Sequence, residues 1–305
     1  MKTYTTMRSG TRNFVSDAWR LYRVRTNALE ETVSSAVDQA AAVARAFQTA
    51  TGCALKDRAV LVIGAGQTSR EAIAFGIDNQ VTAIDLDVVP HGWSPRPYVE
   101  LLRQNGPTRT AKTVGRKILG VDRKFERAMC RALDVDRPKP ANYLQMDAAA
   151  MTFANASFDV VYSFSVFEHL TAPSAVLNEA IRVLRPGGLA AISLHLYSSE
   201  GGCHDLRIFN GDRKNIPYWA QLRPAQKHTV IESCYMNEWR LDQWRSLFET
   251  MCPGATTVLE PHRRPYAEKL DLELAAIRQN NELLDYTDEE LRTVNYGIVW
   301  QKPYV

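Results

Sequence analysis

The stretch Ala-Val-Leu-Val-Ile-Gly-Ala-Gly at residues 59–66 joins a short apolar run to two closely spaced glycines. A continuous, β-branched run of this kind is typical of a strand that is buried on both faces of a parallel sheet. A short helical pattern covers residues 69–75, and a second apolar run at residues 81–84 ends at Asp85. This succession of strand, glycine turn, helix and strand predicts a right-handed, parallel βαβ unit.

The rest of the chain alternates the same two patterns. Before this unit, apolar residues recur at helical spacing from Leu29 to Phe47. After it, strand patterns occur at residues 159–164, 189–196, 256–259 and 294–301, and helical patterns at residues 175–184 and 238–249. Asn237 and Thr287 are predicted to be helix N-caps, and residues 185–188 a turn. We therefore expect an α/β fold with a mostly parallel sheet.

Two segments exceed the length of ordinary connections between helices and strands. Residues 88–142 are predicted to be a helical insertion. Residues 197–236 are rich in glycine, polar and aromatic residues, and they are predicted to be a lid over the substrate. Residues 1–57 are predicted to form an N-terminal helical extension, and residues 58–305 a single domain that contains both segments.

The composition is that of an ordinary globular protein. Of the 305 residues 45% are hydrophobic and 23% charged, and the formal net charge is +3. That small excess disfavours a dedicated nucleic-acid-binding protein. No apolar run at the N-terminus resembles a signal peptide, and none elsewhere is long enough to span a bilayer. Five scattered cysteines without a C-x-x-C pair predict a reduced, cytoplasmic protein with no metal site.

Glycines at a strand end allow a ligand to approach the backbone, because no Cβ atom stands in the way. Gly64 and Gly66 follow the first strand, at the sheet edge where α/β proteins bind ligands. Asp85 comes about twenty residues later, which is the spacing expected of a carboxylate that binds ribose hydroxyls. This motif occurs in proteins that bind NAD, FAD or S-adenosylmethionine, and a purely structural turn is the alternative.

A later pair of segments is more specific. Residues 157–170 read Ser-Phe-Asp-Val-Val-Tyr-Ser-Phe-Ser-Val-Phe-Glu-His-Leu, and residues 182–188 read Arg-Val-Leu-Arg-Pro-Gly-Gly. Together they closely resemble class I S-adenosylmethionine-dependent methyltransferases of the methyltransferase domain 11 group, the ubiquinone/menaquinone-biosynthesis type. The resemblance covers residues 59–197 without the insertion. It implies a Rossmann-like, seven-stranded sheet with the last strand antiparallel, and S-adenosylmethionine as the cofactor.

The same resemblance implies roles for single residues. Gly64 and Gly66 would pass beneath the methionine portion of the cofactor, and Asp85 would accept hydrogen bonds from its ribose. Asp147 matches the acid that contacts the adenine amino group. Ser163, at the end of the fourth strand, would line the methionine side.

The chain departs from the family pattern at two positions. Val62 stands two residues before the first glycine, where the family usually has an acid, and Thr68 stands where a third glycine is common. These departures keep open a second class of function, a non-catalytic binding or scaffold protein with the same fold. A third class, a nicotinamide-dependent oxidoreductase, would share the first βαβ unit but leaves the Glu-His-Leu and Arg-Pro-Gly-Gly segments unexplained.

An oxygen or nitrogen that accepts a methyl group has to lose a proton, and histidine suits this task because its ordinary pKa is near neutral. His169 follows the fourth strand and His195 lies near the end of the fifth, so both are candidate bases. Glu168 is a weaker candidate, and substrate binding or plain packing is the alternative for each histidine. Residues 163–166 lack the Pro-Pro-aromatic motif of DNA amino-methyltransferases, which disfavours nucleic-acid methylation.

Basic residues crowd residues 109–131, among apolar residues at helical spacing. A basic amphipathic helix is a candidate for contact with an anionic membrane or a phosphorylated substrate, and a solvated helix face is the alternative. The lid mixes aromatic rings with hydrogen-bonding groups such as His204 and Asp205, which suits sugars and polar metabolites. We therefore expect a small-molecule or saccharide acceptor that is methylated at a hydroxyl oxygen.

Overall fold

The computed structural model describes residues 29–90, 92–209 and 211–304. Residues 1–28, His91, Asn210 and Val305 lie outside the described part of the chain. They include the first half of the predicted N-terminal extension and one position each of the predicted insertion and lid.

Seven strands form one mixed sheet. In chain order they are β1 (Ala59–Ile63), β2 (Gln80–Asp85), β3 (Asn142–Gln145), β4 (Phe158–Phe164), β5 (Leu184–His195), β6 (Thr256–Pro261) and β7 (Thr293–Gln301). Their order across the sheet is β3-β2-β1-β4-β5-β7-β6, with six strands parallel and one antiparallel. The last strand, β7, pairs antiparallel with β6. The predicted Rossmann-like α/β fold is therefore confirmed.

The first three strands position the glycine turn. β1 pairs in parallel with β2, so that Ile63 stands opposite Ile84, and β2 pairs in parallel with β3. β1 is buried on both faces, because every one of its residues is apolar. Since parallel strands end at the same edge, the residue that follows β1, Gly64, lies beside the end of β2 and donates its N–H to the Ile84 carbonyl at 2.8 Å.

Helices connect and cover the strands. They are α1 (Leu29–Thr51), α2 (Arg70–Phe75), α3 (Pro95–Ile118), α4 (Val121–Ala132), α5 (Pro173–Val183), α6 (Leu206–Phe209), α7 (Leu241–Met251), α8 (Tyr266–Gln279) and α9 (Asp288–Arg292). Single-turn 3₁₀ helices occur at Phe167–His169, Ala220–Leu222 and Lys227–Thr229. Within the described ranges, no helix has the length and apolar character needed to cross a lipid bilayer.

The chain divides into two compact units. The first contains residues 1–162, 175–191 and 301–305, and the second contains residues 163–174 and 192–300. In the first unit a hydrophobic cluster joins α1, α2 and α4. Its buried members are Val33, Ala36, Ala74, Phe125, Ala128 and Met129. The N-terminal helix therefore packs on the insertion as well as on the βαβ unit.

The second unit contains the segment that was predicted to be a lid. Trp219 and Cys203 of this segment are fully buried. Trp219 packs with Leu270 and Leu274 of α8, and Cys203 packs with Tyr197. Residues 197–236 therefore supply part of the hydrophobic core of the second unit.

Three local predictions were wrong, namely the turn at residues 185–188, the start of α7 and Asn237 as its N-cap, a position that Arg240 takes. Residues 185–188 do not form a turn but belong to β5, where the Gly187 N–H donates to the Lys302 carbonyl and the Lys302 N–H donates to the Gly188 carbonyl. α7 begins at Leu241 rather than at residue 238, because Glu238 has a left-handed φ of 57° that is incompatible with a helix. The Thr287 cap is confirmed, since its side chain accepts the N–H of Glu290.

Candidate active site

The glycine turn after β1 is tied to the acid at the end of β2. Both glycines adopt left-handed backbone angles, with φ of 74° at Gly64 and 62° at Gly66, which glycine adopts without steric cost. The Gly66 N–H donates to Asp85 Oδ2 at 2.9 Å, and the Asp87 N–H donates to Asp85 Oδ1 at 2.9 Å. The Asp85 carboxylate therefore organises the turn, and each oxygen keeps a lone pair that can accept a further bond.

Open space adjoins this turn. A Cβ atom added to Gly66 would meet no described atom within 4 Å. A cleft of about 320 Å³ lies over the ends of β2 and β3. It is lined by Ala65, Ala83, Asp85, Asp87, Val88, Val89, Arg96, Pro97, Glu100, Tyr143, Leu144 and Gln145. Its size is within the range of small-molecule sites, and its mixture of apolar walls with a few carboxylates is typical of them.

The inserted helix α3 braces the second acid of the cleft. Asp87 accepts hydrogen bonds from Asn105 Nδ2 at 2.9 Å and from Arg109 Nη2 at 2.5 Å. Burial raises the pKa of Asp85 above its ordinary value, while its two backbone hydrogen bonds oppose that rise. Arg109 therefore supplies a positive charge beside two neighbouring carboxylates.

The other two predicted cofactor residues have contacts of their own. Asp147 follows β3 and caps a local turn, because its Oδ1 accepts the Ala149 N–H at 2.9 Å. It is half-buried, so the carboxylate also faces solvent. Ser163 lies at the end of β4 and is fully buried. The structure thus brings Gly64, Gly66 and Asp85 together and leaves Ser163 inside the protein.

The two candidate bases belong to a buried polar cluster in the second unit. His195 Nδ1 lies 2.8 Å from His204 Nε2, and His195 Nε2 lies 2.9 Å from Ser199 Oγ. Glu168 is 1% exposed, and its Oε1 accepts the His195 N–H at 3.2 Å. Both ring nitrogens of His195 are therefore engaged inside the cluster.

His169 lies at the more open side of the same cluster. Its Nδ1 is 2.9 Å from the Tyr235 carbonyl oxygen and 3.7 Å from Cys234 Sγ. Its ring packs edge-on against the ring of His204, with 4.9 Å between the centroids. Because the Tyr235 carbonyl can only accept a hydrogen bond, Nδ1 carries the proton and the neutral ring has its lone pair on Nε2.

Comparison with known proteins finds similarity to methyltransferases over part of the chain. Residues 104–192 match the family model described as a methyltransferase domain. An uncharacterized methyltransferase of Mycobacterium sp. strain JLS is 38% identical over 87 residues, 28% of this chain and 32% of that protein. One of Mycolicibacterium gilvum is 29% identical over 91 residues, 30% of this chain and 33% of that protein.

The chain thus spans about a third of the length of the curated relatives that it matches. Among solved structures, phosphoethanolamine N-methyltransferase 2 from Haemonchus contortus aligns with a TM-score of 0.45 and 16% identity. That alignment covers 87% of this chain and 52% of the other.

Burial sets the charge state of the polar cluster. It lowers the pKa of His195 to about 4 and also lowers the pKa values of His169 and His204, since a charged imidazole loses its hydration there. Burial raises the pKa of Glu168 to about 8. At neutral pH the three imidazoles are therefore uncharged and able to accept a proton.

Sequence reasoning missed most of this cluster. The sequence predicts His204 only as a hydrogen-bonding group of the lid, and it predicts no role for Cys234 or Ser199. Asp205, its predicted companion, faces away into an ion pair with Arg207 at 2.6 Å. Only the short spacing between His195 and Ser199 is visible in the sequence, because the other members converge from distant parts of the chain.

The basic segment at residues 109–131 is not one helix. Gly120, with a left-handed φ of 66°, separates α3 from α4, and Ile118, at 70% exposure, lies on a different helix from the buried Phe125. Several of the cations are already paired. Arg109 pairs with Asp87, Arg116 and Lys117 with Asp122, and Arg131 with Glu30. These pairs reduce the positive charge available to a membrane or a phosphate.

Proposed function

We propose that this protein transfers a methyl group from S-adenosylmethionine to a hydroxyl oxygen of a small-molecule or saccharide acceptor. The observation that carries the proposal is the turn at Gly66. Its N–H is fixed by Asp85, and the position of its missing Cβ is open. A backbone that is both rigid and uncovered is what a cofactor requires if it is to pass directly over the chain.

The residues around the cleft fit the parts of this cofactor. Asp85 offers the remaining lone pairs of its carboxylate to ribose hydroxyls. Val88 and Leu144 supply apolar surface for a flat base, and Asp147 follows β3 with one carboxylate oxygen outside its turn bond. Val62 removes the usual acid before the glycines, so the ammonium group of the cofactor needs another acceptor.

When bound, S-adenosylmethionine supplies a methyl group that is attached to a sulfonium sulfur. On transfer of the methyl group, the sulfur leaves as a neutral thioether. The protein has to exclude water and to orient the acceptor, since most of the catalytic advantage of such a displacement comes from alignment. As the acceptor oxygen gains its bond to carbon, its proton has to leave. We assign this proton to the histidine cluster, with His169 as the residue that receives it.

The contacts favour His169 over His195 in that role. His195 is 8% exposed, and both of its ring nitrogens lie within 2.9 Å of another polar atom. His169 is anchored through Nδ1 by the Tyr235 carbonyl, and its side chain is 19% exposed. Being uncharged at neutral pH, it can take a proton directly, whereas His195 is suited to positioning His204.

The experiment is methyl transfer from labelled S-adenosylmethionine to a pool of saccharides and hydroxylated metabolites, followed by identification of the labelled product. An O-methyl product supports the proposal, and an N-methyl or protein-bound label contradicts the assignment to oxygen. His169→Gln is expected to reduce turnover by about 10²- to 10⁴-fold, as loss of a general base does. His228→Gln, a change at an exposed histidine, is the matched control and is expected to leave turnover unchanged.

A further inference from the structure

Two imidazoles and a thiol converge in the second unit. His169, His204 and Cys234 place one possible metal-ligand atom each within 4.8 Å of one another. Cys234 Sγ lies 3.7 Å from His169 Nδ1 and 3.8 Å from His204 Nδ1. The three residues come from separate segments, one after β4 and two from the region between β5 and α7.

These separations are close to those of a tetrahedral zinc site. A Zn–S bond of about 2.3 Å and a Zn–N bond of about 2.05 Å, at a tetrahedral angle, place sulfur and nitrogen about 3.6 Å apart. Both observed S···N distances are within about 0.2 Å of that value. We propose that His169, His204 and Cys234 bind one Zn²⁺ ion, or a chemically similar divalent transition metal, with the fourth position open to water or a hydroxyl ligand.

The residues behind the cluster support this proposal. A histidine that binds a metal through one nitrogen usually donates its other N–H to a fixed acceptor. If His204 binds through Nδ1, its Nε2–H donates to His195 Nδ1 at 2.8 Å, and His195 Nε2–H donates to Ser199 Oγ at 2.9 Å. This chain fixes the tautomer and the orientation of the His204 ring.

Glu168 provides an independent observation. Its side chain is 1% exposed, and among the described residues its Oε2 has no hydrogen-bond partner. A buried carboxylate needs a compensating charge or a donor. Its Oε1 lies 3.9 Å from His169 Nε2, beyond hydrogen-bond distance but close enough to act on the metal-bound ring through its charge or dipole.

Metal binding releases one proton from the protein and moves another within it. The Cys234 thiol loses its proton to solvent and becomes the thiolate ligand, because the thiolate is the form that binds metals. At present His169 Nδ1 faces the Tyr235 carbonyl, so the Nδ1 proton has to move to Nε2 when Nδ1 binds the metal. The sequence predicted no metal site, because successive ligands are 30 or more residues apart along the chain and no C-x-x-C pair marks them.

The test is Co²⁺ and Zn²⁺ binding by the full chain after removal of metals with a chelator. We expect one metal per chain and a thiolate-to-cobalt charge-transfer band, both lost in Cys234→Ser and His204→Gln. Cys53→Ser, a change at an exposed cysteine, is the matched control and is expected to bind as the wild type does. His195→Gln is expected to weaken binding by about 10- to 100-fold, as loss of an orienting residue does.

A second measurement needs no variant. Alkylation of Cys234 in the wild type, followed by mass spectrometry, is expected to slow when Zn²⁺ is present, while alkylation of Cys53 is unchanged. The proposal is overturned if no charge-transfer band appears, if Cys234→Ser binds as the wild type does, or if Zn²⁺ leaves Cys234 alkylation unaltered. None of these readouts depends on methyl transfer. Because a metal on His169 would prevent its direct use as a base, the His169→Gln assay is run at defined metal content.

Discussion

The substitution Asp85→Asn tests the link between the glycine turn and the cofactor. Both Asp85 oxygens accept a backbone N–H at 2.9 Å, one from Gly66 and one from Asp87. An asparagine has a single carbonyl oxygen, and its NH₂ group cannot accept a hydrogen bond from the second backbone N–H. One charge-assisted hydrogen bond is therefore lost, and one backbone donor in a half-buried turn is left without its acceptor.

The expected loss of stability follows from the one hydrogen bond that is lost. A hydrogen bond to a charged group contributes about 1.5–3 kcal/mol, so the free energy of unfolding should fall by about that amount. The carboxylate charge offered to the ribose is lost as well, and a similar energy corresponds to affinity about 10- to 150-fold weaker. Urea unfolding measures the first effect, and calorimetry with S-adenosylhomocysteine measures the second.

The matched control is Asp78→Asn, the same chemical change at an exposed position of the first unit. It is expected to alter neither quantity by more than a few tenths of a kcal/mol. If Asp85→Asn lowers stability but leaves the affinity unchanged, Asp85 organises the turn without contacting the ligand. If it alters neither, the reasoning about this turn is wrong.

Two further predictions concern the second unit. Asn237 donates from Nδ2 to the carbonyls of Phe167 and Leu170 and accepts a hydrogen bond from the Trp239 N–H. Asn237→Ala should therefore lower the free energy of unfolding, measured in urea, by about 2–3 kcal/mol. An unchanged midpoint of urea unfolding would contradict this. Burial lowers the pKa of His262 to about 4, so stability is lost as pH falls from 6.5 towards 4. His262→Gln should flatten that loss, and parallel pH profiles for the two proteins would refute it.

The parts of the fold that depend on local pattern were predictable. Residues 59–63 are apolar at every position, which identifies a strand buried on both faces, and the glycines with Asp85 follow at the spacing of a βαβ unit. Thr287 with Glu290 is likewise a signal confined to one turn of chain. Such features need no knowledge of what the rest of the protein does.

Other features depend on contacts between distant residues. The apolar spacing from Val114 to Met129 continues through Gly120, so the sequence suggests one helix where the glycine conformation divides two. The sequence predicts that Arg109 is part of a basic surface, and only the folded chain brings it into contact with Asp87. The convergence of His204 and Cys234 on His169 likewise results from the path of residues 197–236, and the spacing of apolar residues in the sequence does not predict that path.

The central claim is that the cofactor passes over the backbone at Gly66, and one pair of variants tests it directly. Gly66 and Gly254 share a left-handed φ, 62° and 77°, and at both a Cβ would meet no described atom within 4 Å. Gly66→Ala and Gly254→Ala should therefore lose similar stability, about 1–2 kcal/mol each. In calorimetry with S-adenosylhomocysteine, only Gly66→Ala should lose affinity, by tenfold or more. Equal affinity in the two variants would contradict the account.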